Sequence, residues 1–193
     1  MHQIEKKSPR AQETVTFGLL LIAMLTSCKA EHESVSAVAT VPVVSACGES
    51  GALRTALFGG IEANIQWGAS DMECDSMPRP DGAGVRMRFA GEVSGEMLAI
   101  IIAIPGLKPD EIGLEIPSNV TATVEGTGRF FSTPNLDSCW TEITSQARLA
   151  GQEDARAIAG TLYCVAPLGE INGDAAITIP TLEFSTIANW RSK

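Results

Sequence analysis

The side chains that could do chemistry in this chain are mainly carboxylates and cysteines. The sequence contains 23 Asp and Glu residues, five Cys and only two His, His2 and His32. Histidine-dependent base catalysis and histidine-ligated metal sites need an imidazole within the folded part of a protein. Both histidines precede the strand-like part of the sequence, and the cysteines are expected to be paired in disulfides. The enzymatic chemistry left is therefore hydrolysis of glycosidic bonds by paired carboxylates. No pair stands out, and we nominate no catalytic residue.

The densest group of carboxylates could hold a hard cation. Asp71, Glu73 and Asp75 alternate along a short segment, and Asp81 follows them. Calcium takes six to eight oxygen ligands, which a constrained acidic loop can supply. The Gly and the terminal Glu of an EF-hand loop are missing, and Arg79 could neutralise one of the carboxylates. A solvated acidic loop is therefore the preferred interpretation, and we expect neither a bound metal nor another cofactor.

The first part of the chain has the pattern of a secretory signal. A largely apolar run at residues 15 to 25 follows three basic residues and ends in Leu25-Thr26-Ser27-Cys28. Such a short run is typical of a cleaved signal and is too short to span a bilayer as a helix. The tetrapeptide resembles the lipobox of bacterial lipoprotein precursors. The resemblance is confined to about the first 29 residues and implies cleavage before Cys28 and a diacylglycerol on its sulfur, usually with a third acyl chain.

The same resemblance implies a location and a domain organisation. We expect residues 1 to 27 to be a cleaved signal peptide, residues 28 to 46 a lipidated tether and residues 47 to 193 a single domain. Two or three acyl chains would anchor the protein durably to the cell envelope. In a host with two membranes, Lys29 after the Cys resembles the pattern that directs a lipoprotein to the outer membrane. An ordinary cleaved signal and an uncleaved anchor are the alternatives.

The remaining four cysteines predict two disulfides. With Cys28 set aside, Cys47, Cys74, Cys139 and Cys164 form an even set in an exported chain. The segments that contain Cys139 and Cys164 flank a polar turn at residues 151 to 154, so a hairpin would bring these two cysteines together. That favours Cys139 with Cys164 and Cys47 with Cys74 among the three pairings. A four-thiolate zinc site is the alternative, but no two cysteines have the C-x2-C spacing.

Beyond residue 52 the apolar residues recur with a period of two, which is typical of half-buried strands. Residues 97 to 104 are apolar on both faces and predict a central strand covered on both sides. Residues 108 to 112 could form one helical turn. The expected fold is an all-β, antiparallel sandwich or barrel of about nine strands with two disulfides. The strands are expected near residues 61 to 67, 85 to 89, 97 to 104, 119 to 125, 129 to 133, 175 to 179 and 182 to 190, and on the two arms of the hairpin.

The charge of the chain limits its partners. The formal net charge is −9 with 14 basic residues, so a nucleic-acid partner, which needs clustered Lys and Arg, is not expected. The first hypothesis is a membrane-anchored envelope lipoprotein whose non-catalytic β-domain binds a protein, a glycan or a small apolar ligand, or has a structural role. The second is a carboxylate-dependent hydrolase that acts on polysaccharide.

Overall fold

The structure, a computed structural model, describes residues 46 to 191. The predicted signal peptide, the lipobox Leu25-Thr26-Ser27-Cys28 and nearly all of the predicted tether lie outside these residues. Within the described part of the chain, no helix is long and apolar enough to cross a membrane.

The described residues form thirteen strands and one short 3₁₀ helix at Leu136–Ser138. The strands are β1 (Ala52–Gly59), β2 (Ala63–Gly68), β3 (Met72–Pro78), β4 (Gly84–Val93), β5 (Glu96–Pro105), β6 (Glu115–Pro117), β7 (Asn119–Val124), β8 (Arg129–Ser132), β9 (Cys139–Leu149), β10 (Gln152–Cys164), β11 (Leu168–Glu170), β12 (Ala176–Thr178) and β13 (Leu182–Asn189).

The strands form two layers that share β1. The first sheet has the order β2-β1-β13-β10-β9-β6, and the second has the order β3-β4-β5-β7-β8-β11-β12. The end of β1 joins them, because Phe58 lies opposite Thr178 on β12. Every pair is antiparallel, and the sheet does not close into a barrel. The prediction of an all-β antiparallel fold is confirmed, whereas the barrel alternative is wrong. Residues 46 to 191 form thirteen strands rather than about nine.

The core lies between the two sheets, and β5 is central to it. This strand pairs with β4 on one side and with β7 on the other, as its apolar sequence predicts. Leu98, Ile100, Ile102 and Ile104 point into the core and are almost completely buried. On the outer face, however, Ile101 remains partly exposed, so β5 is fully covered on one face only.

Both predicted disulfides are present. Cys139 and Cys164 lie directly opposite each other in the β9–β10 hairpin, with a sulfur–sulfur distance of 2.03 Å. Cys47 and Cys74 join the start of the described chain to β3, with a sulfur–sulfur distance of 2.09 Å. The four cysteines are therefore structural, and the alternative of a four-thiolate zinc site is wrong.

The predicted helical turn at residues 108 to 112 is not formed. Asp110 has a φ of 66°, which is incompatible with a right-handed helix. Its carboxylate accepts hydrogen bonds from Arg156 at 2.9 Å and from Arg148 at 2.6 Å, and its N–H donates to Gln146 at 2.9 Å. These bonds hold the loop against the β9–β10 hairpin. The two arginines also lower the pKa of Asp110.

Thr141 on β9 offers a stabilising substitution. It is fully buried, and its hydroxyl is the buried side-chain oxygen that finds no hydrogen-bond partner among residues 46 to 191. We expect Thr141→Val to raise the free energy of unfolding by about 1 kcal/mol, because burying an unpaired hydroxyl is costly. Urea unfolding measures the change.

Thr55→Val is the matched control. The hydroxyl of Thr55 is also largely buried, but it donates to the carbonyl of Thr181 at 2.8 Å. Removing this bond should lower the free energy of unfolding by about 1 kcal/mol. If both variants lost stability equally, the hydroxyl of Thr141 would have to form a hydrogen bond in the folded protein, contrary to the prediction.

Candidate functional site

One edge of β2 is open. This strand pairs with β1 through six consecutive residue pairs, and no other strand of the described chain pairs with it. The N–H of Gly68 donates to Asp71 Oδ2 at 2.8 Å and therefore points away from β1. Because backbone groups alternate in direction along a strand, the N–H and C=O groups of Asn64 and Gln66 also point away from β1. The open edge thus offers two consecutive sets of backbone donors and acceptors.

A groove of about 610 Å³ runs along this edge. Its other wall is the end of β4 and the hairpin loop that leads to β5, at Glu92, Val93 and Ser94. Ser94 and Gly95 both have positive φ, at 53° and 86°, and they form a two-residue loop between Val93 and Glu96. Two-residue loops with this conformation match the twist of paired strands and are well defined. The wall opposite β2 is therefore the regular hairpin that joins β4 to β5.

The packing of Trp67 sets the position of β2 beside β4. Trp67 is mostly buried, and its ring lies against Gly91 of β4. A Cβ atom at Gly91 would lie 2.6 Å from Trp67 Cε2, which is too close for any real contact. The absence of a side chain at Gly91 therefore allows the ring to pack directly against the backbone of β4. Trp67 forms the inner surface of the groove, and little of its ring remains for stacking with a ligand.

The groove continues into a smaller pocket at the end of the sandwich, which we call the end pocket. It has a volume of about 180 Å³ and shares Glu62, Val93 and Ser94 with the groove. The buried side chains of Leu98 and Val124 line it. The rest of its lining is formed by Gly60, Ile61, Glu96 and Arg129. The end pocket thus combines an apolar lining with a charged rim.

Arg129 on that rim already has a partner. Its Nε donates to Glu170 Oε1 at 2.7 Å, and its guanidinium lies 5.1 Å from the centre of the Phe131 ring. The hydrogen bond with Glu170 raises the pKa of Arg129 and lowers the pKa of Glu170. Glu170 in turn lies against Gly173, where a Cβ atom would be 2.5 Å from its carboxylate. The charge of Arg129 is therefore balanced within the protein.

The Arg129–Glu170 pair predicts an effect of pH on stability. The pKa of Glu170 in the folded protein lies below its ordinary value of 4.5. Its stabilising contribution is thus complete above that value and is lost as the pH falls through the lowered, folded-state pKa. We expect the loss of stability between about pH 5 and about pH 3 to be smaller in Glu170→Gln than in the wild type. Urea unfolding at a series of pH values measures this.

Glu183→Gln provides the comparison for that experiment. Glu183 is an exposed carboxylate whose distance to Arg54 is 4.0 Å, at the limit of an ion pair. This variant should follow the wild type across the acidic range. If Glu183→Gln reduced the pH dependence of the free energy of unfolding as much as Glu170→Gln does, a specific contribution from the Arg129–Glu170 pair would be ruled out.

The four candidate calcium ligands do not form a site. The predicted acidic loop is wrong for residues 72 to 78, because they form β3, in which Asp75 lies opposite Arg88 of β4. Asp71 accepts the N–H of Gly68, and Glu73 forms an ion pair with Arg88 at 3.6 Å. From residue 46 to residue 191, no three His, Cys, Asp or Glu side chains are placed to hold a metal ion.

The predicted role of Arg79 is confirmed. Its guanidinium lies 3.2 Å from the carboxylate of Asp81, the fourth candidate calcium ligand. This hydrogen bond lowers the pKa of Asp81, and the N–H of Ala83 adds to the effect. Asp81 therefore stabilises its own loop.

Comparison with known proteins found no matching family model, curated protein or solved structure. Because no known protein suggests a function, the proposal made below rests on the groove and the end pocket. Sequence patterning predicted β2 as a strand but did not identify this site. The open edge and the short distance between β2 and the end of β4 depend on contacts between residues far apart in the chain.

Proposed function

We propose that this chain is a bacterial envelope lipoprotein, anchored through lipid on Cys28, whose β-sandwich is a non-catalytic binding domain. The anchor follows from the resemblance of residues 25 to 28 to a lipobox, together with the preceding basic and apolar residues. The observation that supports binding is the groove beside the open edge of β2. An outer-membrane location follows from Lys29 if the host has two membranes.

The open edge supports a binding role because exposed strand edges are a hazard. Proteins usually protect them with Pro, Lys, bulges or short strands, since unpaired backbone groups recruit other chains. The sequence of β2 is Ala-Asn-Ile-Gln-Trp-Gly, without Lys or Pro, and its register with β1 is continuous. The edge is thus unprotected from residue 63 to residue 67, up to the point where Asp71 bonds to Gly68. Such an edge is expected where pairing with a partner is the function.

A second candidate function is hydrolysis of a polysaccharide, and one observation favours it. Glu62 and Glu96 both line the end pocket, and paired carboxylates can cleave glycosidic bonds. A glycosidase also needs a general acid with a raised pKa. Hydrogen bonds from arginines lower the pKa values of Asp81, Asp110 and Glu170, so these three carboxyls are unsuited to that role. Release of reducing ends from envelope polysaccharide, abolished by Glu96→Gln, would favour hydrolysis over simple binding.

Photo-crosslinking in intact cells tests the binding role. We would place benzoylphenylalanine at Ser94, an exposed residue on the wall of the groove. The control position is Val165, which is 70% exposed and does not line the groove or the end pocket. We expect a discrete crosslinked product from position 94 and none of that mass from position 165. The same products from both positions, or none from position 94, would contradict binding through the groove.

A further inference from the structure

We propose that the ligand of the groove is an extended, basic peptide segment that adds to β2 as a further strand. This inference rests on the proposed binding function and specifies its partner. Strand addition uses the backbone for affinity and pockets for alternate side chains for specificity. The groove and the end pocket provide both elements at one edge of the first sheet.

The backbone groups of β2 define where the added strand would lie. Asn64 and Gln66 present N–H and C=O groups to the groove, spaced by about 6.6 Å along the strand. At Gly68 the open edge ends, because Asp71 accepts the N–H of Gly68 and donates its own N–H to the carbonyl of Gly68 at 3.0 Å. The added segment therefore pairs with residues 63 to 67 and leaves β2 toward the end pocket.

The charges around the site select a basic segment. Glu62 and Glu92 line the groove, and Glu62 and Glu96 line the end pocket; all three are exposed. The one cation among the residues that line either cavity is Arg129, and Glu170 already balances its charge. A strand that carries Lys or Arg would place its cations beside these carboxylates, and complementary charge favours correct pairing.

The same charges disfavour two other occupants. Pairing of β2 with β2 of a second copy would bring the glutamates of both copies into one interface, where like charges repel. The chain's own residues 29 to 45 contain one Lys and two Glu, so they are not complementary to the groove. A basic segment from another protein fits the charges better than either alternative.

The end pocket supplies specificity for one side chain. Leu98 and Val124 give it an apolar lining, and its volume of about 180 Å³ suits a single side chain rather than a whole ligand. Successive side chains of a strand point to opposite faces. An added strand with alternating apolar and basic residues can therefore place an apolar side chain in the end pocket and direct its cations elsewhere along the acidic groove.

The test uses short peptides and the full chain, purified in a mild detergent. The probe is fluorescein-labelled Lys-Val-Lys-Val-Lys-Val with an amidated C-terminus, and fluorescence anisotropy measures its binding at low salt. We expect saturable binding of this peptide and none of its counterpart with Glu in place of Lys. Two further peptides are N-methylated, one on the backbone amides of its Lys residues and the other on the backbone amides of its Val residues. Since only one set of amides can face β2, methylation of one set should abolish binding and methylation of the other should change it by about twofold or less.

Two groups of variants locate the site. The double variant Glu62→Gln/Glu92→Gln should weaken binding about fivefold, the loss of two exposed charge pairs. Gln66→Pro removes one outward N–H and should abolish binding, because Pro cannot donate to an added strand. Glu183→Gln removes an exposed charge that lines neither cavity and should bind like the wild type. Should Gln66→Pro fail to fold, the two N-methylated peptides decide the question.

The outcomes separate this inference from the proposed function. Equal binding of the Lys and Glu peptides, or retention of binding by both N-methylated peptides, would overturn strand addition by a basic segment. If position 94 still gave its crosslinked product, the groove would remain a binding site for another ligand. A chain that sediments as a dimer, and becomes a monomer in Gln66→Pro, would identify a second copy as the occupant and overturn the inference.

Discussion

Loss of both disulfides is expected to bring the domain close to unfolding. The bonds Cys139–Cys164 and Cys47–Cys74 close loops with sequence separations of 25 and 27 residues. In the chain-entropy model, each loop of this size contributes about 3.5 kcal/mol by restricting the unfolded chain. Two such contributions are comparable with the whole stability of an ordinary domain, about 5 to 15 kcal/mol. Urea unfolding with and without a reductant measures the loss.

The two bonds are expected to differ in what their loss does to the folded structure. Cys139 and Cys164 lie on strands that are already hydrogen-bonded along the β9–β10 hairpin. Replacing both with Ala should therefore lower the free energy of unfolding but leave the hairpin intact. The Cys47–Cys74 bond instead attaches the start of the described chain to β3. Its removal should also increase hydrogen exchange at the N–H of Ile187, which donates to the carbonyl of Ala46 at 3.4 Å.

Each pair of Cys→Ala substitutions serves as the control for the other. Both pairs should lower the midpoint of urea unfolding, and only the Cys47/Cys74 pair should affect the Ile187 amide. A midpoint that does not change in either pair, or on reduction of the wild type, would contradict a stabilising role for the disulfides.

The second large effect is expected at Cys28. We predict that Cys28→Ser abolishes partitioning of the protein into the detergent phase of Triton X-114, because no acyl chain can then be attached. A single acyl chain binds a membrane only marginally, whereas two or three hold a protein durably, so loss of the lipidated Cys removes the whole anchor. Incorporation of radiolabelled palmitate into the protein should be lost in parallel.

Lys29 provides the matched control for Cys28. Lys29→Asp leaves the lipidated Cys in place, so this variant should still enter the detergent phase. In a host with two membranes, it should move the protein from the outer to the inner membrane, as expected from the resemblance to outer-membrane lipoproteins. Wild-type partitioning by Cys28→Ser would contradict the proposed anchor, whatever the result with Lys29→Asp.

Sequence patterning predicted the elements whose signals are local. The period of two along β4, the continuous apolar run of β5 and the hairpin of β9 and β10 each depend on residues close in the chain. The pairing of Cys139 with Cys164 was predictable for the same reason. The pairing of Cys47 with Cys74 then followed by elimination.

The strands that the sequence did not indicate have weak or misleading patterns. β6 and β11 are only three residues long, which is too short for a periodic signal. The carboxylates of β3 suggested a loop, because Glu73 and Asp75 are polar. In the structure, pairing of β3 with β4 places Arg88 beside both carboxylates. Asp110 has a positive φ, and its hydrogen bonds to Arg148, Arg156 and Gln146 stabilise the loop in this conformation. These contacts involve residues distant in the chain.

The candidate site could not be predicted for a related reason. Whether a strand lies at the edge or the centre of a sheet depends on the whole topology, and the sequence of β2 alternates like that of an internal strand. Gly91 was a local sign of close packing, but its partner Trp67 could not be identified without the structure. The acidic excess was visible in the composition, whereas the grouping of Glu62, Glu92 and Glu96 around one groove was not.

Hydrogen exchange at four neighbouring amides of β2 tests most directly whether its edge is available for binding. In the full chain without ligand, the amides of Ile65 and Trp67 should be protected, because they point toward β1. The amides of Asn64 and Gln66 should exchange freely, since they face the groove. This alternation, measured by NMR at several protein concentrations, is the result we predict. Protection of Asn64 and Gln66 at every concentration would mean that another part of the chain covers the edge, and would contradict the groove as a binding site.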